Sequence, residues 1–283
     1  HGVESSYWNP AGLSRLEGAT VLASQMKMFG DVGVSFFGAG SKLGSTGAFS
    51  LTIKSLDLGE IPVTTVEAMD GTGNTFKPNM TTLALTYANA FSDKARFGIS
   101  VKAITESIPR ASASAFALDA GVQYENLNDI EGLGIGLVLK NIGTDMHYEG
   151  SGLTTTASDD ENLEDFYNIE SSYDKLPSTF DMAMSYKVSD ATLALTYTSH
   201  NFRYDDLSLG GEYELMDMVY LRGGMSIPML EENSRQEDEV LSGFNFGAGL
   251  KYNLLGTDLF VEYTYRSQKY FDANNLLSLS VGF

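Results

Sequence analysis

The chain has 283 residues, which suits one membrane barrel or one to two soluble domains, and no stretch of it reads as an interdomain linker. Asp and Glu number 37 against 18 Lys and Arg, a formal net charge of -19 that repels nucleic acid, and the absence of cysteine removes disulfides, thiolate metal sites and cysteine nucleophiles. Hydrophobic residues make up 43%, yet no run approaches the roughly 20 consecutive apolar residues of a membrane helix, which leaves a soluble all-β protein or a β-barrel.

Taken in chain order, the first 17 residues do not read as a strand. Within Tyr7-Trp8-Asn9-Pro10-Ala11-Gly12-Leu13, Pro10 has no N–H for a ladder and Gly12 admits unusual backbone angles. No signal peptide precedes this segment, and the barrel reading expects a leader to have been removed. From residue 18 onward, period-two alternation predicts fourteen strands, at 18–27, 31–40, 46–58, 79–91, 95–106, 112–125, 132–142, 177–188, 190–200, 205–215, 218–227, 241–253, 257–267 and 274–283. In the sixth, Phe116, Leu118, Ala120, Val122 and Tyr124 share one face while Ala117, Asp119, Gly121 and Gln123 share the other. In the last, Leu277, Leu279, Val281 and Phe283 oppose Ser278, Ser280 and Gly282. A soluble sandwich would alternate in the same way. The connections separate the two readings. Alternate ones are short, such as Ser92-Asp93-Lys94, Ser189 and Met216-Asp217, whereas 59–78, 143–176 and 228–240 all fall in the other set. Short turns at one end and long loops at the other mark an outer-membrane barrel. Tyr124, Tyr186, Tyr213, Tyr252, Phe91 and Phe283 end strands beside the short turns, where a membrane-interface girdle would lie.

The face opposite the apolar one is small and polar, as a lumen requires, and it carries Lys102, Asp119, Lys140, Asp181, Lys187, Glu212, Arg222, Lys251, Glu262 and Arg266. Their mixed signs on neighbouring strands favour ion-pair support inside a filled lumen over a lining for solutes. Two long loops are acidic, one with Asp159, Asp160, Glu161, Glu164, Asp165, Glu170 and Asp174, the other with Glu231, Glu232, Glu237, Asp238 and Glu239. They read as solvated charge runs, or as contacts for a basic partner or for cation-bridged lipopolysaccharide. His1, His147 and His200 are the only histidines. No catalytic constellation, phosphate loop or calcium-loop spacing is present, so no enzyme activity, cofactor or metal is expected.

The Tyr7–Leu13 motif resembles the YWNPAGL signature of the PorV/PorQ family, a branch of FadL-like bacterial outer-membrane proteins. The Ser112–Asp119 run and the Leu139-Lys140-Asn141-Ile142-Gly143 stretch extend the resemblance over essentially the whole chain, although the Asn-Pro-Ala-Gly-Leu core is shared with wider FadL relatives. The resemblance implies an all-β, FadL-like transmembrane antiparallel barrel of about 14 strands. It would be a single domain over 1–283, with residues 1–17 as a hatch in the periplasmic end of the lumen and 18–283 as the barrel. A simple turn leading into the first strand is the other reading of the motif. Both termini would be periplasmic. The Leu277, Leu279, Val281 and Phe283 face, ending on an aromatic carboxy-terminal residue, resembles the signal read by the outer-membrane assembly machinery. The family implies a non-enzymatic, protein-binding accessory of type IX secretion or surface attachment, among outer-membrane lipids and lipopolysaccharide and with a protein partner. The alternatives are FadL-like transport of hydrophobic small molecules and structural anchoring of a surface assembly.

The loop sorting makes a topology prediction. Single Ser158→Cys and Ser234→Cys variants react with an impermeant thiol label on intact cells, and Ser189→Cys does not. Labelling at position 189 alone would invert the orientation.

Overall fold

Strict alternation along a strand sorts its side chains onto two faces, and in the computed structural model this sorting runs around a closed wall. Residues 2–28, 30, 32–158, 164–216, 218–229, 243–268 and 271–283 are described. His1 and the acidic positions Asp159, Asp160, Glu161, Glu231, Glu232, Glu237, Asp238 and Glu239 lie outside them. Fourteen strands form the wall: β1 (Ala19–Lys27), β2 (Gly33–Lys42), β3 (Ala48–Asp57), then, past a small hairpin of β4 (Ile61–Pro62) and β5 (Thr75–Phe76), β6 (Asn79–Ala90), β7 (Ala95–Ile108), β8 (Ala111–Glu125) and β9 (Leu133–Gly143). After β10 (Met146–Glu149), β11 (Thr154–Ser158), β12 (Glu164–Asn168) and β13 (Tyr173–Asp174), the wall resumes. It continues with β14 (Thr179–Val188), β15 (Ala191–His200), β16 (Asp206–Leu215), β17 (Val219–Pro228), β18 (Phe244–Leu254), β19 (Thr257–Arg266) and β20 (Asn274–Gly282).

Each wall strand pairs antiparallel with its neighbour in the wall, and β1 pairs with β20 to close the barrel. All fourteen expected strands are present. The sequence left β4, β5 and β10 to β13 as plain loop, because runs of two to five residues are too short to show a period. At the short-turn end, Ser189, Met216 and Leu255 take left-handed φ of 52°, 56° and 53°, the twist that lets tight hairpin turns match the strands they join. One connection at the long-loop end, Pro109-Arg110, is as tight. The outer face is apolar, from Phe49, Leu51 and Ile53 on β3 to Leu277 and Leu279 on β20, all of them exposed. The outer aromatics Tyr124, Tyr186, Tyr213, Tyr252, Phe91 and Phe283 are exposed beside the short turns. Such a surface belongs in lipid, and the tyrosines sit where an interface would meet them.

The pairing of β8 with β9 shifts register between Leu118 and Ala120. There Asn141 has a φ of 57°, and its N–H donates to Asp119 Oδ1 at 2.8 Å. Asp119 has 0% exposure and ion-pairs with Lys102, whose Nζ also donates to Asn141 Oδ1 at 2.9 Å. One buried polar knot therefore holds the irregular step in the wall. Removing one member of a buried pair strands the other, at a cost of about 3–5 kcal/mol. Asp119→Ala accordingly lowers the unfolding free energy of the detergent-solubilised barrel, read from urea titration, by that order. A Lys102→Met/Asp119→Leu double variant recovers most of the loss. An Asp119→Ala barrel as stable as the parent would show that the knot carries no stability.

Candidate functional site

Two short turns fill one side of the lumen: α1 (Ser5–Trp8) and a 3₁₀ turn over Pro10–Arg15. The N-terminal segment thus lies inside the wall before the chain enters β1. Asn9 joins the two turns. Its Oδ1 accepts from the Ala11 N–H at 3.0 Å, and its Nδ2 donates to the wall carbonyls of Val122 and Leu137 at 3.3 and 3.4 Å. The wall opposite has no side chains to keep the segment away. A Cβ on Gly98 would overlap the Pro10 carbonyl carbon, and one on Gly121 would overlap Asn9 Oδ1. Val3, Leu13 and Leu16 are buried with Leu22, Ala48 and Ala88 against Phe36, a small apolar core inside the barrel. Burying each of the larger side chains contributes about 1.5–3 kcal/mol. Arg15 completes the attachment through Glu125, which Arg96 also holds.

The long-loop end is covered in part. β10 adds to β8 at Ser112 and Ala113, and Met146 and Leu176 are buried against the inward Ala113, Ala115 and Ala117. The Tyr148 hydroxyl donates to Glu106, and that bond, aided by burial, pushes its pKa up to about 12, so it stays a donor at any physiological pH.

Beside the hatch lies a cavity of about 580 Å³. Along β14 its lining runs from Asp181 to Lys187, roughly 20 Å at the rise of an extended strand. It reaches the short turns at Asn126 and Gly132. The hatch thus packs on β3 and β6 to β9 and leaves the β14 to β17 side open, so the expectation of a filled lumen holds for one side only. Two rings of the hatch stay uncovered: Tyr7 is 40% exposed, and Trp8 is 65% exposed and faces the cavity. Cations cover these rings in part, Lys54 Nζ standing 5.0 Å from the Tyr7 ring centre and Lys140 Nζ 5.7 Å from that of Trp8.

The lumenal charges pair largely as their alternating signs suggested. Lys102 meets Asp119, Lys140 meets Asp181 at 2.7 Å, and Lys251 meets Asp258 at 3.5 Å. Arg222 bridges Glu212 and Glu262, with the Tyr220 and Phe260 rings about it. Arg266 lies half-buried on the same inner face of β19. Lys187 is exposed in the cavity lining near the short turns. Sequence reasoning missed Lys54, Arg15, Glu125 and Arg96. Lys54, at least, was readable, since it alternates with Ser50 and Thr52 on the inner face of β3. Of the assembly-signal face, Leu277, Leu279 and Phe283 are exposed on the outside, with Val281 half-covered between them.

No family model and no curated protein matches the chain. Solved structures do. The toluene transporter TodX of P. putida matches with a TM-score of 0.64 at 12% identity, over 100% of this chain and 94% of that one. The Ralstonia pickettii toluene transporter TbuX gives 0.64 at 11%, over 100% and 94%. The monoaromatic hydrocarbon channel CymD gives 0.62 at 12%, over 99% and 91%. At such identities the likeness concerns the fold, that of FadL-like outer-membrane barrels.

The glycine seat of the hatch is testable. Deleting residues 1–13 produces conductance steps in planar bilayers that the intact chain lacks, and Gly98→Val, which forces Pro10 off the wall, produces smaller ones. Equal conductance from all three proteins would remove the hatch from any part in closing the lumen.

Proposed function

We propose that the chain is a passive, non-enzymatic channel that carries small hydrophobic, aromatic molecules across a bacterial outer membrane, with both termini in the periplasm. The observation that carries this reading is the cavity beside the hatch, which follows β14 for most of its length and reaches the short-turn end. A lumen meant only to be rigid has no use for such a void, because close packing is the ordinary state of a protein interior. The likeness to toluene and monoaromatic hydrocarbon transporters over the whole wall supports the same class of cargo. The apolar belt would meet lipid and lipopolysaccharide, and the Leu277–Phe283 face would serve barrel assembly.

One observation favours the second reading, an accessory of type IX secretion or surface attachment. Phe166, Tyr167, Ile169 and Tyr173 are exposed on the loop that follows β9, away from the apolar belt. Exposed aromatic side chains outside the membrane are the raw material of a protein contact.

Uptake separates the two. Cells with an intact lipopolysaccharide leaflet that express the chain take up radiolabelled toluene several-fold faster, in initial rate, than cells lacking it. Unchanged uptake, together with a secreted protein retained on the purified barrel, would overturn the channel and favour the accessory.

A further inference from the structure

We infer that Trp8 is the floor of a binding site for a neutral monoaromatic compound bearing an oxygen substituent, such as an alcohol, in preference to the bare hydrocarbon. The inference rests on the channel reading above and names its cargo more narrowly.

Trp8 is the one tryptophan of the chain, and the fold leaves it 65% exposed at the cavity. It is not loose. Its neighbour Asn9 is bonded to two wall carbonyls, and Tyr7 packs edge-on against it at 5.1 Å between ring centres. An apolar ring held out into a polar cavity forgoes burial that a planar guest would restore, and aromatic pairs gain about 0.5–1.5 kcal/mol beyond area alone. Val138, Ala183 and Thr196 line the same cavity, small enough to leave room for such a guest. Register places them together: Val138 stands opposite Asp181, and Ala183 opposite Thr196. A volume of about 580 Å³ lies within the range of small-molecule sites.

The charges choose the substituent. Lys140 lies over Trp8 and is bonded to Asp181 at 2.7 Å. An ammonium has three N–H donors, so the pair can still offer one to a guest's oxygen. Asp181 already balances the lysine charge, and a guest carboxylate would bring a second anion beside the first. A methyl group would leave the offered donor without a partner. A neutral hydroxyl or carbonyl satisfies both conditions.

The single tryptophan is its own reporter. Toluene, benzyl alcohol and benzoate share one ring and differ in one substituent. Titrated into the detergent-solubilised full chain, with Trp8 excited at the red edge of its absorption, benzyl alcohol changes the emission saturably and at about tenfold lower concentration than toluene, the worth of one hydrogen bond to a charged donor. Benzoate binds more weakly than benzyl alcohol. A Lys140→Met/Asp181→Asn double variant strands no charge, keeps its heat-dependent gel mobility and binds toluene and benzyl alcohol equally. Tightest binding by toluene or benzoate, no saturable change, or an undiminished preference in the double variant would overturn the inference. If the preference fails while toluene uptake by cells persists, the channel reading stands alone. If uptake fails as well, both fall.

Discussion

At Gly98 and Gly121, which stand opposite each other on β7 and β8, nothing separates the wall backbone from the Pro10 backbone and the Asn9 side chain. This approach sets the arrangement of the interior. Once the hatch lies flush against these strands, Asn9 reaches two wall carbonyls, Leu13 and Leu16 are buried, and Arg15 meets Glu125. The other half of the lumen is then left open. A side chain at either glycine would move the segment toward the lumen axis and into the space that the cavity occupies.

The open half is kept open by charge. The inner face of β14, β16, β17 and β19 carries Asp181, Lys187, Glu212, Arg222, Glu262 and Arg266, and the charges of β7 and β8 are held close to the wall and hatch, Lys102 with Asp119 and Arg96 with Glu125. Each ion removed from bulk water requires a partner; Arg222 on β17 finds Glu212 on the adjacent β16 and Glu262 on β19, reaching past the intervening β18 and staying along the wall. Lateral pairing lets the wall satisfy its charges without drawing its two sides together. A void can persist beside it, wetted and close to neutral.

Strand number, faces and loop sorting were legible in the sequence because each rests on a local period or a local length. The hatch was legible as a segment that could not be strand. Its seat was not, since the partners of Asn9 lie 113 and 128 residues away and a glycine in a strand looks the same whether it faces a turn, a ligand or a plug. The same limit hid the exposure of Trp8. Burial is the default for an indole read from composition, and only the completed barrel reveals which side of the hatch faces open space. The inward positions of the lumenal charges were readable because they follow from alternation. Some of their partners, such as Asp258 for Lys251, depended on register.

The seam between β1 and β20 ties the second residue past the hatch to the last residue of the chain: Ala19 exchanges both backbone hydrogen bonds with Phe283. The wall is therefore a ring whose closing seam joins strands about 250 residues apart in sequence. Contacts this distant in sequence are slow to form, because the entropy of closing the loop between them must be overcome first. The seam is the wall pairing of greatest sequence separation, whereas the glycine seat of the hatch joins neighbouring strands β7 and β8. An open curl of sheet, rather than a finished tube, can therefore already offer the hatch its seat.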